Sequence, residues 1–172
     1  MDKFDATTLA RNLLNDHGLP SWDVKLNNNK RQLGVCKEYL KRIELSEHYV
    51  TRNPREMVVD TILHEIAHAL VGVEHGHDAV WKEMCKRLGC TPKSCDKKVE
   101  MPEGDWRAEC PTCHKLFTRH RKPKSLRGFY CTKCGAVDGA LLYTNLRLKY
   151  EKRVTQAATK NEGAKQLMLK IF

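Results

Sequence analysis

Four of the chain's eight histidines, His64, His68, His75 and His77, fall within fourteen residues, with Glu65 and Asp78 beside them. His64 and His68 are four apart, about 40° around a helix, so both imidazoles project from one side, one turn apart. That spacing lets two nitrogens hold one zinc ion at about 2.0–2.1 Å. Glu65, pointing partly aside, need not ligate and can act on a water, the general-base role of a glutamate in an HExxH metalloprotease motif. A third ligand must come from downstream, with a fourth position left open. Glu74, His75, His77 and Asp78 are all candidates, and one is enough.

A second metal pattern follows. Cys110-Pro-Thr-Cys113 is separated by seventeen residues from Cys131-Thr-Lys-Cys134. Each CxxC turn offers two thiolates on one knuckle, and two knuckles close a tetrahedral structural zinc site. Such a metal replaces the core that so small a module cannot build. "CPTCH" also fits c-type haem attachment, but haem requires export and leaves Cys131 and Cys134 unexplained. Cys36 and Cys85 read as packed thiols. Cys90 and Cys95, five apart, read as free reduced thiols.

Between the knuckles, His114 to Tyr130 carries Lys115, Arg119, Arg121, Lys122, Lys124 and Arg127 without one acid, interleaved with Phe117, Phe129 and Tyr130. Cations neutralise phosphates, and exposed aromatics stack on unpaired bases. Residues 1–104 hold 16 Lys+Arg and 16 Asp+Glu, whereas residues 105–172 hold 15 and 5, so the net charge of +10 lies wholly in the second part. This asymmetry points to a polyanionic partner rather than a merely solubilising tail. Arg119, Arg121, Lys122, Lys124 and Arg127 are the expected DNA contacts. Nothing resembles a base-reading helix, so little sequence specificity is expected, and the sequence leaves the preferred DNA structure open, single strands included.

Local signals place these residues on elements. Phe4 to His17 reads as a helix stopped by Gly18 and Pro20. Trp22 to Leu26 alternates as a strand does, Asn27 to Lys30 supplies a turn, and strands follow at Leu33 to Lys37 and Lys41 to Leu45. The histidine helix begins with Asn53 as cap, Pro54 in the first turn and Glu56 reaching back to the cap. Val59, Ile62, Leu63, Ile66 and Leu70 form its apolar stripe, and Gly72 ends it. A further helix spans about Asp78 to Leu88, with Val80, Trp81, Met84, Cys85 and Leu88 inward. Thr91 to Asp105 reads as a linker, and the chain beyond Tyr150 as a helical or disordered tail.

Gly34 to Met84 resembles the SprT-like zinc metalloprotease family. The pieces are Gly34 and Cys36; Ile43, Leu45 and Ser46; Leu63 to Ala69 around HExxH; then Gly76, His77 and Trp81. The aromatic at Trp81 favours His77 over His75 as third ligand, although Asp78 stands where the family usually has glycine. A competing alignment, with His75 three residues after Gly72, echoes metzincins and ranks second. Members often carry a zinc ribbon after the protease domain. The resemblance therefore implies an α+β fold: a mostly helical zincin-like metalloprotease domain with a small sheet over 1–104, a basic zinc ribbon over 105–150, and a basic tail over 151–172. It further implies one catalytic zinc on His64, His68 and His77, Glu65 as general base, and one structural zinc on Cys110, Cys113, Cys131 and Cys134. In Spartan-like members the substrates are proteins bound or crosslinked to DNA, and DNA stimulates cleavage.

No run approaches the roughly 18 apolar residues of a membrane helix, and no leader opens the chain. A soluble, monomeric, intracellular protein without membrane partners is expected, in a prokaryotic cytoplasm or nucleoid or in a eukaryotic nucleus. Two other classes compete: a nucleic-acid-binding adaptor with an idle HExxH site, and a metallohydrolase whose ribbon docks proteins.

Overall fold

The computed structural model describes residues 1–93 and 99–148. The tail expected over 151–172, the last two residues of the 105–150 segment and Cys95 lie outside the described residues. The chain divides into two compact units, Met1–Pro102 and the stretch from Glu103 onward, with a mixed α+β architecture.

In the first unit, α1 (Lys3–Asp16) starts at Asp2, whose carboxylate accepts the Asp5 N–H at 2.8 Å. It buries Ala6, Ala10 and Leu14, a run at i, i+4 and i+8. Three short strands form one sheet in the order β1 (Asp23–Asn27), β3 (Arg42–Ser46), β2 (Gly34–Lys37). β1 runs parallel to β3, and β2 antiparallel, with Gly34 opposite Leu45 and Cys36 opposite Ile43. Central β3 buries Ile43 and Leu45 completely, each contributing about 1.5–3 kcal/mol by leaving water. β2 is an edge strand, which leaves one side of its backbone for the helix beside it.

A short helix absent from the sequence expectation, α2 (Glu47–Arg52), follows β3 directly, capped by Ser46. The long helix α3 (Arg55–Val71) buries Val58, Ile62, Leu63, Glu65, Ile66, Ala67 and His68. Its expected stripe is partly wrong, since Leu70 is exposed, and so is Val80 on α4 (Ala79–Leu88). Trp81 and Cys85 on α4 are fully buried, and that helix packs on α3.

Asn53 does not cap α3. Pro54 holds the cap position without a side-chain bond, and Asn53 closes α2 instead. The Asn53 amide is spent elsewhere: Nδ2 donates to the Tyr49 and Glu100 carbonyls and Oδ1 accepts the Glu100 N–H. A buried amide follows its best partners, and here those are Tyr49 in the preceding helix and Glu100, 47 residues away, rather than the start of α3.

The second unit contains β4 (Trp106–Glu109), paired with β5 (Leu116–Arg119) and with β8 (Thr144–Asn145). A two-stranded ladder joins β6 (Phe129–Cys131) to β7 (Gly139–Leu141), with the short α5 (Gly135–Asp138) between them. Its small core consists of Ala108, Cys110, Cys131, Leu141 and Tyr143. Among the described residues no helix is long and apolar enough to cross a membrane.

Candidate active site and metal centres

α3 presents His64 and His68 one turn apart, and the chain then has to double back. Gly72 ends α3, a single 3-10 turn covers Val73–His75, and Gly76 follows at φ 52° and ψ −119°, a conformation that glycine adopts without penalty. That turn swings His77 back over α3. The His77 Nε2 lies 3.1 Å from His64 Nε2 and 3.3 Å from His68 Nε2. His75 stays outside this group. Its Nδ1 pairs with Asp78 Oδ2 at 2.9 Å, while Asp78 Oδ1 accepts the Trp81 N–H at 3.0 Å and so caps α4. The aspartate that departs from the family's glycine thus has a local task.

Trp81 packs against all three imidazoles. Its ring lies 4.6 Å from His64, 4.5 Å from His77 and 5.2 Å from His68, the last nearly stacked at 25°. Burial, and then the neighbouring imidazoles, push the His64 and His68 rings down to a pKa of about 4, so both are neutral at physiological pH. The neutral His64 and His68 rings each bring Nε2 up to the His77 Nε2, and ring nitrogens gathered in this way are suited to share a cation between them. Tetrahedral ligands at zinc–nitrogen distances of 2.0–2.1 Å sit about 3.3 Å apart, which matches the observed separations. The donor set therefore fits a metal ion.

Glu65 is not one of the converging ligands and is 6% exposed. It lies against the edge strand, where the Cys36 main-chain N–H donates to its carboxylate. Burial pushes the carboxyl up to about 8 against the opposing pull of that hydrogen bond. Gly34 makes the close approach possible, because a Cβ there would stand 2.9 Å from Glu65 Oε1. The Cys36 thiol is pushed up to about 12 by burial and by Glu65 and Glu38, which suits a packed thiol and not a nucleophile. His64, Glu65, His68 and His77 all line a cleft of about 630 Å³, together with Gly34, Val35, Met57, Asp60 and Val99.

Two contributions here escaped the sequence reading. The main-chain N–H of Cys36 orients Glu65, and Glu38 Oε2 accepts the Val73 N–H at 3.1 Å, tying β2's end to the loop that carries His77. The first had a faint signal in the Gly34–Cys36 pair. The second had none, because the two residues are 35 apart in sequence.

In the second unit, Cys110, Cys113, Cys131 and Cys134 converge, with Cys113 Sγ 3.7 Å from Cys131 Sγ and all four sulfurs within 4.8 Å of one another. The main-chain N–H groups of Cys113 and Thr112 hold the Cys110 thiol down to about 7, whereas Cys113 and burial push Cys134 up to about 12. Sulfurs of such unequal acidity packed together are what is expected of a cluster that needs a cation to collect all its charges. The chemistry of four thiols is that of a structural metal site.

The expected DNA contacts all lie on β5 or on the connection from β5 to β6. Arg119, Arg121, Lys122, Lys124 and Arg127 are exposed. Arg119 is also braced from within, its guanidinium 4.5 Å over the Phe129 ring and 5.3 Å over Tyr143. Phe129 meets Tyr143 edge-on and Phe117 is half-buried, so of the three interleaved aromatics only Tyr130, at 52%, is largely open to solvent.

No curated protein matches the chain. Residues 6–101, just over half of the sequence, match the SprT-like family, and the chain accordingly belongs to that family, whose domain is of the metalloprotease type.

Proposed function

We propose that the protein is a zinc-dependent endopeptidase acting on proteins bound or crosslinked to DNA. His64, His68 and His77 hold the catalytic zinc, and Glu65 is the general base. The observation that carries this reading is the approach of His77 Nε2 to within 3.3 Å of both His64 Nε2 and His68 Nε2, with a buried carboxylate, next to His64 in sequence, in the same cleft. Zinc in this position supplies Lewis-acid polarisation of a scissile carbonyl and a lowered pKa for water. Glu65, held by the Cys36 N–H, takes the proton of the attacking water and delivers it to the leaving amine. Trp81 packs the three imidazoles into one arrangement, so their lone pairs need no reorganisation before metal arrives.

Cys110, Cys113, Cys131 and Cys134 hold a second, structural zinc, making their unit a zinc ribbon. Its exposed Arg119, Arg121, Lys122, Lys124 and Arg127 bind DNA phosphates without sequence preference, and exposed Tyr130 adds stacking on unpaired bases. The enzyme works as a monomer wherever DNA is, in nucleoid or nucleus. The test is cleavage of a DNA-binding protein by the zinc-loaded chain, with and without DNA. Cleavage stimulated by DNA supports the whole reading. Equal cleavage in both arms removes the DNA role and leaves a general metallohydrolase, and no cleavage in either arm favours an adaptor with an idle site.

A further inference from the structure

One wall of the cleft is built by described residues that lie outside any helix or strand. Thr91, Lys93 and Val99 line the cleft in a stretch whose described residues belong to no helix or strand. Among the described residues from Thr91 to Pro102, the main-chain to main-chain hydrogen bonding is confined to the local contact of Lys93 N–H with Thr91 C=O. Side chains from α3 and the turn before it hold this wall instead. Asp60 Oδ1 accepts the Thr91 N–H at 2.7 Å. Asn53 takes both main-chain groups of Glu100, accepting its N–H at 2.9 Å and donating to its C=O at 2.8 Å.

The second Nδ2 proton of Asn53 goes to the Tyr49 carbonyl at 2.8 Å, so both amide donors are used and the orientation is fixed. Glu100 is thereby paired from one side much as a neighbouring strand would pair it. The residues on either side of it, Val99 and Met101, pack against the core, and Val99 also lines the cleft that holds the histidine cluster. Burying an amide is costly unless every polar atom is matched, and Asn53, at 3% exposed, meets that condition only through this wall and Tyr49. An N-terminal cap on α3, the ordinary reason for asparagine at such a place, is not its task here.

We infer that Asn53 is a positioning residue for the peptide substrate. By clamping Glu100 it sets Val99 as the wall along which a substrate chain lies, while touching neither the substrate nor the metal ligands. The inference rests on the metallopeptidase reading, and its test separates the two. Two probes are titrated into the zinc-loaded full chain: acetohydroxamate, which has no peptide chain to lie along the wall, and a hydroxamate carrying a three-residue apolar peptide.

In Asn53→Ala the peptide hydroxamate should bind about five- to tenfold more weakly, the worth of one or two ordinary hydrogen bonds of positioning. Acetohydroxamate should bind the variant as it binds the wild type. Hydrogen exchange at the Glu100 amide should accelerate in the same variant. Glu100→Pro removes the N–H from the other side of the clamp and should give the same pattern with Asn53 intact, which keeps the inference testable if Asn53→Ala fails to fold. Undiminished binding of the peptide probe, or equal weakening of both probes, overturns the positioning role. Acetohydroxamate that does not bind the wild type overturns the metallopeptidase reading, and this inference with it.

Discussion

Gly34 on the edge strand and Glu65 on the histidine helix meet with no room for a side chain between them. A Cβ on Gly34 would stand 2.9 Å from Glu65 Oε1 and 3.0 Å from its Cγ. The backbone at Gly34 is not left-handed, so it is the closeness of the Glu65 side chain that favours glycine there. One residue on from its neighbour Val35, Cys36 supplies the N–H that holds the same carboxylate. The edge strand thus shapes the position of the proposed base twice, once by a missing side chain and once by a main-chain donor.

Gly34→Ala should therefore displace the Glu65 carboxylate. Proteolysis should fall by at least about tenfold, part of what a positioned general base contributes. Thermal stability should drop modestly, by about 1–3 kcal/mol of overpacking. Both zinc ions should remain. Parallel measurement of peptide hydrolysis and metal content checks this, and wild-type activity in the variant would mean that Glu65 tolerates displacement.

The third ligand has its own test. Metal analysis should give about two zinc ions per chain. His77→Ala should lose one of them, and His75→Ala none, because His75 is spent on Asp78. If His75→Ala empties the site while His77→Ala does not, the ligand assignment is wrong.

Much of this site was legible in the sequence, for physical reasons. Helical spacing alone puts His64 and His68 on one face, and CxxC spacing alone brings each cysteine pair together, so local geometry sufficed. His77 needed the glycine at 76 and the aromatic at 81, both visible as residues though not as contacts. What failed was whatever depends on tertiary partners. Asn53 looked like a cap because asparagine before proline at a helix start usually is one, but Glu100, 47 residues away, offered two main-chain groups. Leu70 and Val80 fit an apolar stripe by period, yet among the described residues they are 37% and 48% exposed. α2 was missed because six residues with His48, Thr51 and Arg52 carry no clear period, and Ser46 as its cap was read only as part of a family motif.

Charge removal from the second unit should impair DNA binding by a measurable amount. Replacing Arg121, Lys122 and Lys124 with alanine removes up to three phosphate contacts. The log–log slope of affinity against salt should become shallower by up to about 2–3 units. Affinity should fall similarly for unrelated sequences, since phosphate contacts carry no base information. The four-cysteine metal site should survive, because none of the three residues is a ligand. A salt titration of the triple variant decides the matter, and an unchanged slope and affinity would make the cluster a solvated loop.

The claim that the histidine cluster and its buried carboxylate form a working peptidase is tested most directly by Glu65→Gln. Glutamine keeps the size and a hydrogen-bond acceptor for the Cys36 N–H but cannot take a proton. The variant should retain its fold, both zinc ions and DNA binding, while hydrolysis of a protein that the wild type cleaves falls by about 10²–10⁴-fold. Hydrolysis by Glu65→Gln at a rate close to wild type, with zinc still bound, would contradict the account.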